Sequence, residues 1–128
     1  MHNNSAISFC NIDTVNGSGD AFLAFIEQRV FNKNELFDLL GMQLKLPGYF
    51  GFNWDALYDC LCDFHWIQEY GIVLAHKTMP SLPLDDLKIY LEILQSTTSV
   101  WHDGTEHSFE VWFNLSDELF LKPLLGKL

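Results

Sequence analysis

Two short and almost unbroken apolar runs, Ala21 to Ile26 (AFLAFI) and Ile72 to Ala75 (IVLA), constrain the fold of this chain more than any other feature. A strand with one wet face alternates apolar and polar residues, whereas a continuous run of this length suits a strand covered on both faces, as in a parallel sheet. Parallel neighbours need a long crossover between them, and helical material lies between the two runs. Asn32, with Glu35 three residues later, resembles a capping box. Leu36, Leu39, Leu40 and Leu44 follow at helical spacing until Leu46-Pro47-Gly48 stops the helix. A second helix is predicted from Asn53, a good N-cap, with Leu57, Cys60, Leu61 and Phe64 buried along one side.

After IVLA, the stretch MPSLPLDD reads as a loop and a helix start, with Pro83 near the first turn and Asp85 and Asp86 where the helix dipole favours acids. Leu84, Leu87, Leu91 and Leu94 form the predicted buried stripe of that helix. His102 to His107 (HDGTEH) reads as a turn, and Phe109, Val111, Phe113 and Leu115 alternate as a strand buried on one face. The order strand, helices, strand, helix, strand is an α/β order, with right-handed crossovers expected. Residues 1–20 read as an N-terminal extension in which ISFCNI is compatible with an added edge strand, its pairing open, followed by a flexible VNGSGD. The tail 117–128 is apolar, contains Pro123 and is assigned no structure. With no repeat and no low-complexity tract, residues 1–128 are expected to form a single domain, a size that supports one core.

The chain carries 17 acidic residues against 7 Lys and Arg, a net charge of -10. Phosphate neutralisation needs clustered cations, so nucleic acid is an unfavourable direct partner and a basic partner is favoured. There is no basic segment leading into an apolar run at the N-terminus and no run of about 18 apolar residues, so a soluble, cytoplasmic protein without a membrane partner is expected. Cys10, Cys60 and Cys62 are odd in number and lack Cys-x-x-Cys spacing, which reads as reduced, mostly buried thiols.

The densest chemistry runs from Leu46 to Phe64 (LPGYFGFNWDALYDCLCDF), where an aromatic-rich loop feeds into an acidic helix. Asp55, Asp59 and Asp63 are four residues apart, which on one helix makes a single stripe stepping about 6 Å along the axis. Tyr58 and Cys62 flank the stripe. Such like charges repel by roughly 0.2 to 0.5 kcal/mol per pair in an isolated helix, and for most acid runs an ordinary solvated face is the favoured reading. Tyr49, Phe50 and Phe52 on the adjoining loop read as exposed aromatics, and aromatics beside clustered charges are typical interface anchors. A row of carboxylates can stand in for consecutive RNA phosphates, and a ribonuclease active site grips those phosphates with Lys, Arg and His.

At these residues the chain resembles the barstar-like ribonuclease inhibitors. The motif is Leu46-Pro47, Tyr49-Phe50-Gly51, Asn53 and then Asp55-Ala56-Leu57-Tyr58-Asp59-Cys60-Leu61, with weaker similarity from about Ala21 through the Glu35-Leu36 helix start, IVLA and the final FEVWF strand. The resemblance implies a small three-stranded parallel sheet packed with helices, no catalysis, no cofactor or metal, and a monomer that forms a one-to-one complex with a small basic ribonuclease. It implies that Tyr49 packs in the nuclease cleft, Asn53 makes polar contacts at the helix entrance, and Asp55 and Asp59 meet the nuclease's basic groups, with Asp59 as the central plug. Tyr58 stands where the best-known member has Trp, Phe50 lacks a hydroxyl found there, and Cys62 and Asp63 replace smaller or uncharged residues. A glutamate used in that member's last helix has no unambiguous counterpart between Leu84 and Val100.

Two other readings compete. An enzyme could use His102, Glu106 and His107, or Cys60 with His65, but neither set has a recognised metal or nucleophile spacing. An immunity or antitoxin protein could turn the same face, including Tyr58, Cys62 and Asp63, toward a basic toxin that is not a ribonuclease, because function resides in the site rather than the scaffold.

Overall fold

The computed structural model describes residues 6–14, 19–103 and 105–126, so the VNGS part of the expected flexible segment and Gly104 of the HDGTEH turn lie outside the described residues. Four strands form one sheet: β1 (Ile7–Cys10), β2 (Phe22–Ile26), β3 (Gly71–His76) and β4 (Ser108–Asn114). Their order across the sheet is β1-β4-β3-β2, and every pairing is parallel. The α/β expectation is met, with four strands instead of three. ISFC is the added edge strand, and it pairs beside β4 in the register Ile7 to Val111 and Phe9 to Phe113.

Among the described residues there are four α-helices: α1 (Lys33–Gln43), α2 (Trp54–Leu61), α3 (Leu84–Val100) and α4 (Glu118–Leu125). Ala24 and Ile26, Ile72 and Leu74, and Phe109, Val111 and Phe113 share one sheet face with the buried residues of all four helices. The opposite face holds a smaller cluster, in which Val73 and Ala75 are covered by Ile12 from a short 3-10 turn (Ile12–Thr14) and flanked by Leu23, Phe25 and Trp112. Both faces of β3 are covered as expected, since Ile72, Val73, Leu74 and Ala75 are all buried, but the two covers differ in size. Among the described residues, no α-helix residue joins the second cluster.

Helix α1 starts as its sequence dictates. The Asn32 side chain accepts from the Glu35 amide at 2.9 Å, and Glu35 reaches back to the Phe31 amide at 2.8 Å, which satisfies two donors that the helix itself leaves open. Its end is less readable from sequence. Lys45 takes φ 54, the Leu46 amide donates to the Gly41 carbonyl at 2.9 Å, and the Lys45 amide donates to Met42 at 3.4 Å, a Schellman ending built without glycine. Two tryptophans then occupy terminal carbonyls that the helices cannot bond themselves. Trp66 Nε1 donates to Leu44 O at 3.0 Å behind α1, and Trp101 Nε1 donates to Leu61 O at 2.8 Å behind α2.

Three apolar placements differ from expectation. Leu84 opens α3 half-exposed, and the stripe is instead Leu87, Tyr90, Leu91 and Leu94, with Ile93, Thr97 and Thr98 also buried. Leu115 leaves the strand for a second 3-10 turn (Leu115–Asp117) and is exposed, since β4 pairs only as far as Asn114. The unassigned tail forms α4, which buries Leu121 and leaves Leu119 and Phe120 exposed. Among the described residues, no helix is long and apolar enough to cross a membrane.

Candidate partner-binding site

The loop between α1 and α2 is shaped by one buried aromatic and one strained one. The Phe50 amide donates to Pro47 O at 2.9 Å, closing a turn that drives the Phe50 ring into the core, edge-on to Phe37 with centroids 6.0 Å apart. Phe50 is only 4% exposed, so the expectation that it offers an open aromatic surface is corrected. A phenylalanine ring carries no hydroxyl, so it sinks into an apolar pocket without stranding a polar group. Tyr49 and Phe52 on either side of it are the exposed aromatics, at 57% and 55%. Phe52 adopts φ 56, a left-handed conformation that costs a bulky residue about 1 kcal/mol or more and that reverses the chain just ahead of α2.

Asn53 then caps α2. Its Oδ1 accepts from the Ala56 amide at 2.8 Å and its Nδ2 donates to Gly51 O at 3.3 Å, so this exposed side chain ties loop and helix together. Behind the cap, Trp54 lies partly buried between Phe37 and Tyr90, which fixes the helix's first turn against α1 and α3. Leu57, Cys60 and Leu61 are buried. Helical geometry therefore turns Asp55, Tyr58 and Asp59 outward, and all three are exposed. Asp55 sits in the first turn, where the dipole favours a carboxylate, while Asp59 one turn later has no such support.

The expected stripe of three acids is corrected at its far end. Helix α2 stops at Leu61 with Cys62 as its cap, and Phe64 at φ 50 turns the chain away while its ring is buried against Trp66, Trp101 and Phe109. Only Asp55 and Asp59 share the helix face. Asp63 lies beyond the cap, where its Oδ2 accepts the Tyr49 hydroxyl at 2.7 Å and sits 3.0 Å from His65 Nδ1. The Tyr49 hydrogen bond is the leading cause that holds the Asp63 carboxyl below its ordinary range, and the same bond pushes the Tyr49 phenol up to about 12. Tyr49 and His65 rings lie nearly parallel, 8° apart with centroids at 6.5 Å. In the sequence His65 reads only as a partner for Cys60, and nothing in the spacing ties it or Asp63 to Tyr49.

Tyr58 bonds to Cys62 through its hydroxyl, which raises the phenol, and burial raises the Cys62 thiol. Cys60 is buried and its thiol is also pushed up by burial, the reverse of what a nucleophile needs, and His65 is engaged by Asp63. His107 is buried with Nδ1 2.9 Å from Glu69 O, packed edge-on to Phe64 and Trp101. His102 and Asp103 are exposed at 3.8 Å from each other. Among the described residues, no group of three or more His, Cys, Asp or Glu could hold a metal ion. Tyr49, Asn53, Asp55, Tyr58, Asp59, Cys62 and Asp63 all lie on one loop and helix and the turn that follows it.

The fold is thus a small parallel α/β domain with its helices on one face of the sheet and an acidic, aromatic loop and helix exposed beside them. The family model described as Barstar (barnase inhibitor) matches residues 21–115, which is 95 of the 128 residues, and the chain belongs to that family. Members of the family are inhibitors of a ribonuclease such as barnase rather than enzymes. Compared with curated proteins, the chain finds no match. Strand β1 and helix α4 fall outside the matched residues.

Proposed function

We propose that this protein inhibits a small basic ribonuclease by laying the face around Asp59 over the nuclease active site in a one-to-one complex. The observation that carries the reading is the placement of Asp55 and Asp59 one helical turn apart on the exposed side of α2, directly after the loop that exposes Tyr49 and Phe52. Two carboxylates about 6 Å apart along a helix axis can stand in for consecutive phosphates of RNA. Asp59 is the central plug, Asp55 the second anion, and Tyr49 and Tyr58 the aromatic contacts beside them. Asn53 acts chiefly through the helix start, since its amide is already bonded to Gly51 and Ala56. Phe50 supports the loop from beneath.

Association is steered by charge. The net charge of -10 opposes that of a basic nuclease, so encounter is accelerated at low salt. The same face would serve an immunity protein, and which nuclease it meets is set by Tyr58 and Cys62.

The direct experiment titrates purified protein into a small basic ribonuclease, with barnase as the first probe, and follows RNA cleavage. Activity falls linearly to zero at one equivalent if the face occludes the active site. Undiminished cleavage of every basic ribonuclease tried, with neutralisation of a non-ribonuclease toxin instead, contradicts the reading.

A further inference from the structure

We infer that Asp63 is a positioning residue of the partner-binding face, holding Tyr49 in place from within instead of meeting the partner's cations. The inference rests on the inhibitor reading for its consequence in binding, and on the free protein for its geometry.

The argument begins with where the two residues stand. Tyr49 precedes the N-terminus of α2 and Asp63 follows its C-terminus, so a bond between them spans the helix from end to end. One end of that bond cannot drift. Asp63 is held by its amide on Cys60 O at 3.0 Å and by the turn at Phe64, whose ring is fully buried. The other end is an exposed tyrosine on a loop, which without a partner would sample several rotamers. The Tyr49 hydroxyl instead donates to Asp63 Oδ2 at 2.7 Å, and His65 approaches the same oxygen at 3.0 Å while its ring lies parallel to that of Tyr49. The carboxylate charge is therefore directed into the protein's own loop, unlike those of Asp55 and Asp59. An aromatic anchor fixed before encounter loses less freedom on binding, which for one side chain changes affinity by about three- to tenfold.

Two measurements test this. In protein labelled with carbon-13 at tyrosine Cζ, Tyr49, assigned through Tyr49→Phe, is expected to remain un-ionised at pH 11, and to ionise with an ordinary phenol's pKa in Asp63→Ala. Ordinary ionisation of Tyr49 in the parent overturns the inference. In the second, dissociation constants for barnase are compared. Tyr49→Phe and Asp63→Ala each weaken binding about three- to tenfold, their combination is no worse than either alone, and Asp63→Asn, which keeps an acceptor oxygen but no charge, stays near the parent. A loss in Asp63→Asn as large as in Asp63→Ala, with a shallower salt dependence, identifies a direct charge contact and overturns it. Because the first measurement needs no partner, a protein that binds neither barnase nor any other basic ribonuclease tried counts against the inhibitor reading while the titration still decides whether Asp63 holds Tyr49.

Discussion

His76 and Tyr90 meet inside the core, with imidazole Nε2 2.7 Å from the phenolic oxygen and the opposite ring nitrogen, Nδ1, 3.1 Å from Trp112 O. A carbonyl only accepts, so Nδ1 carries the proton and Nε2 accepts from Tyr90. The ring also stacks on Phe113 at 4.3 Å. Burial is the main reason that its pKa is lowered to about 4. The unfolded chain therefore takes up this proton first. Stability from His76 is whole above about pH 6.5 and is lost progressively as the pH falls toward 4, by roughly 3 kcal/mol at about 1.4 kcal/mol per unit. Urea midpoints measured between pH 7 and 4.5 should fall steadily in the parent and more gently in His76→Gln. Equal slopes in the two proteins would rule His76 out as the cause. The lowered carboxyl of Asp63 acts below the ordinary carboxylate range, outside this window.

Asn53→Ala removes the acceptor for the Ala56 amide and frees the loop at Gly51. A lost N-cap of this type costs about 1 kcal/mol, readable as a lower urea midpoint. Inhibition should weaken too, because Asp55 and Asp59 are aimed by the start of α2. A midpoint equal to the parent's would mean that the cap is not what fixes that start.

Phe64→Ala should be among the most destabilising single changes, about 3 to 5 kcal/mol, because the ring is fully buried among Trp66, Trp101, His107 and Phe109. Chemical denaturation measures it directly. A loss under about 1 kcal/mol would show that the aromatic cluster closes over the gap.

Salt should slow association with a basic nuclease far more than it speeds dissociation. Stopped-flow rates are expected to drop by about tenfold or more as ionic strength rises from about 0.01 M to 0.5 M, because the Debye length shrinks below the separation of the approaching charges. A flat dependence would remove steering from the account.

Much of the fold was legible because its signals are local. Asn32 with Glu35, and Asn53 ahead of WDALYDCL, mark helix starts through the hydrogen bonds that their side chains make, and both caps are present. AFLAFI and IVLA announced neighbouring parallel strands, although not that one sheet face relies on Ile12 and strand side chains for cover. What sequence could not supply was where the periodicity stops. Phe64 is buried at the i+7 position as a helix would have it, yet reaches the core from a left-handed turn after the helix has ended, and that turn removes Asp63 from the acidic stripe. Phe50 was misread for a similar reason. An aromatic in a loop is exposed or buried according to the turn that carries it, and Pro47 sets this one inward. Asp55, Asp59 and Tyr49, whose placement depends on helix phase and on a loop of fixed length, came out as the sequence implied. The bond between Tyr49 and Asp63 depends on side chains 14 positions apart and left no trace in the pattern.

The measurement closest to the central claim is inhibition by Asp59→Ala, made beside a thermal melt of the same protein. Asp59 is exposed and stands one turn from Asp55, so its loss relieves repulsion and leaves the melt unchanged or slightly raised. Truncating a hot spot costs about 2 kcal/mol or more, a rule drawn in part from the barnase complex itself, so the inhibition constant should rise by roughly thirtyfold or more. A variant that melts like the parent and inhibits like the parent would show that Asp59 is not the plug.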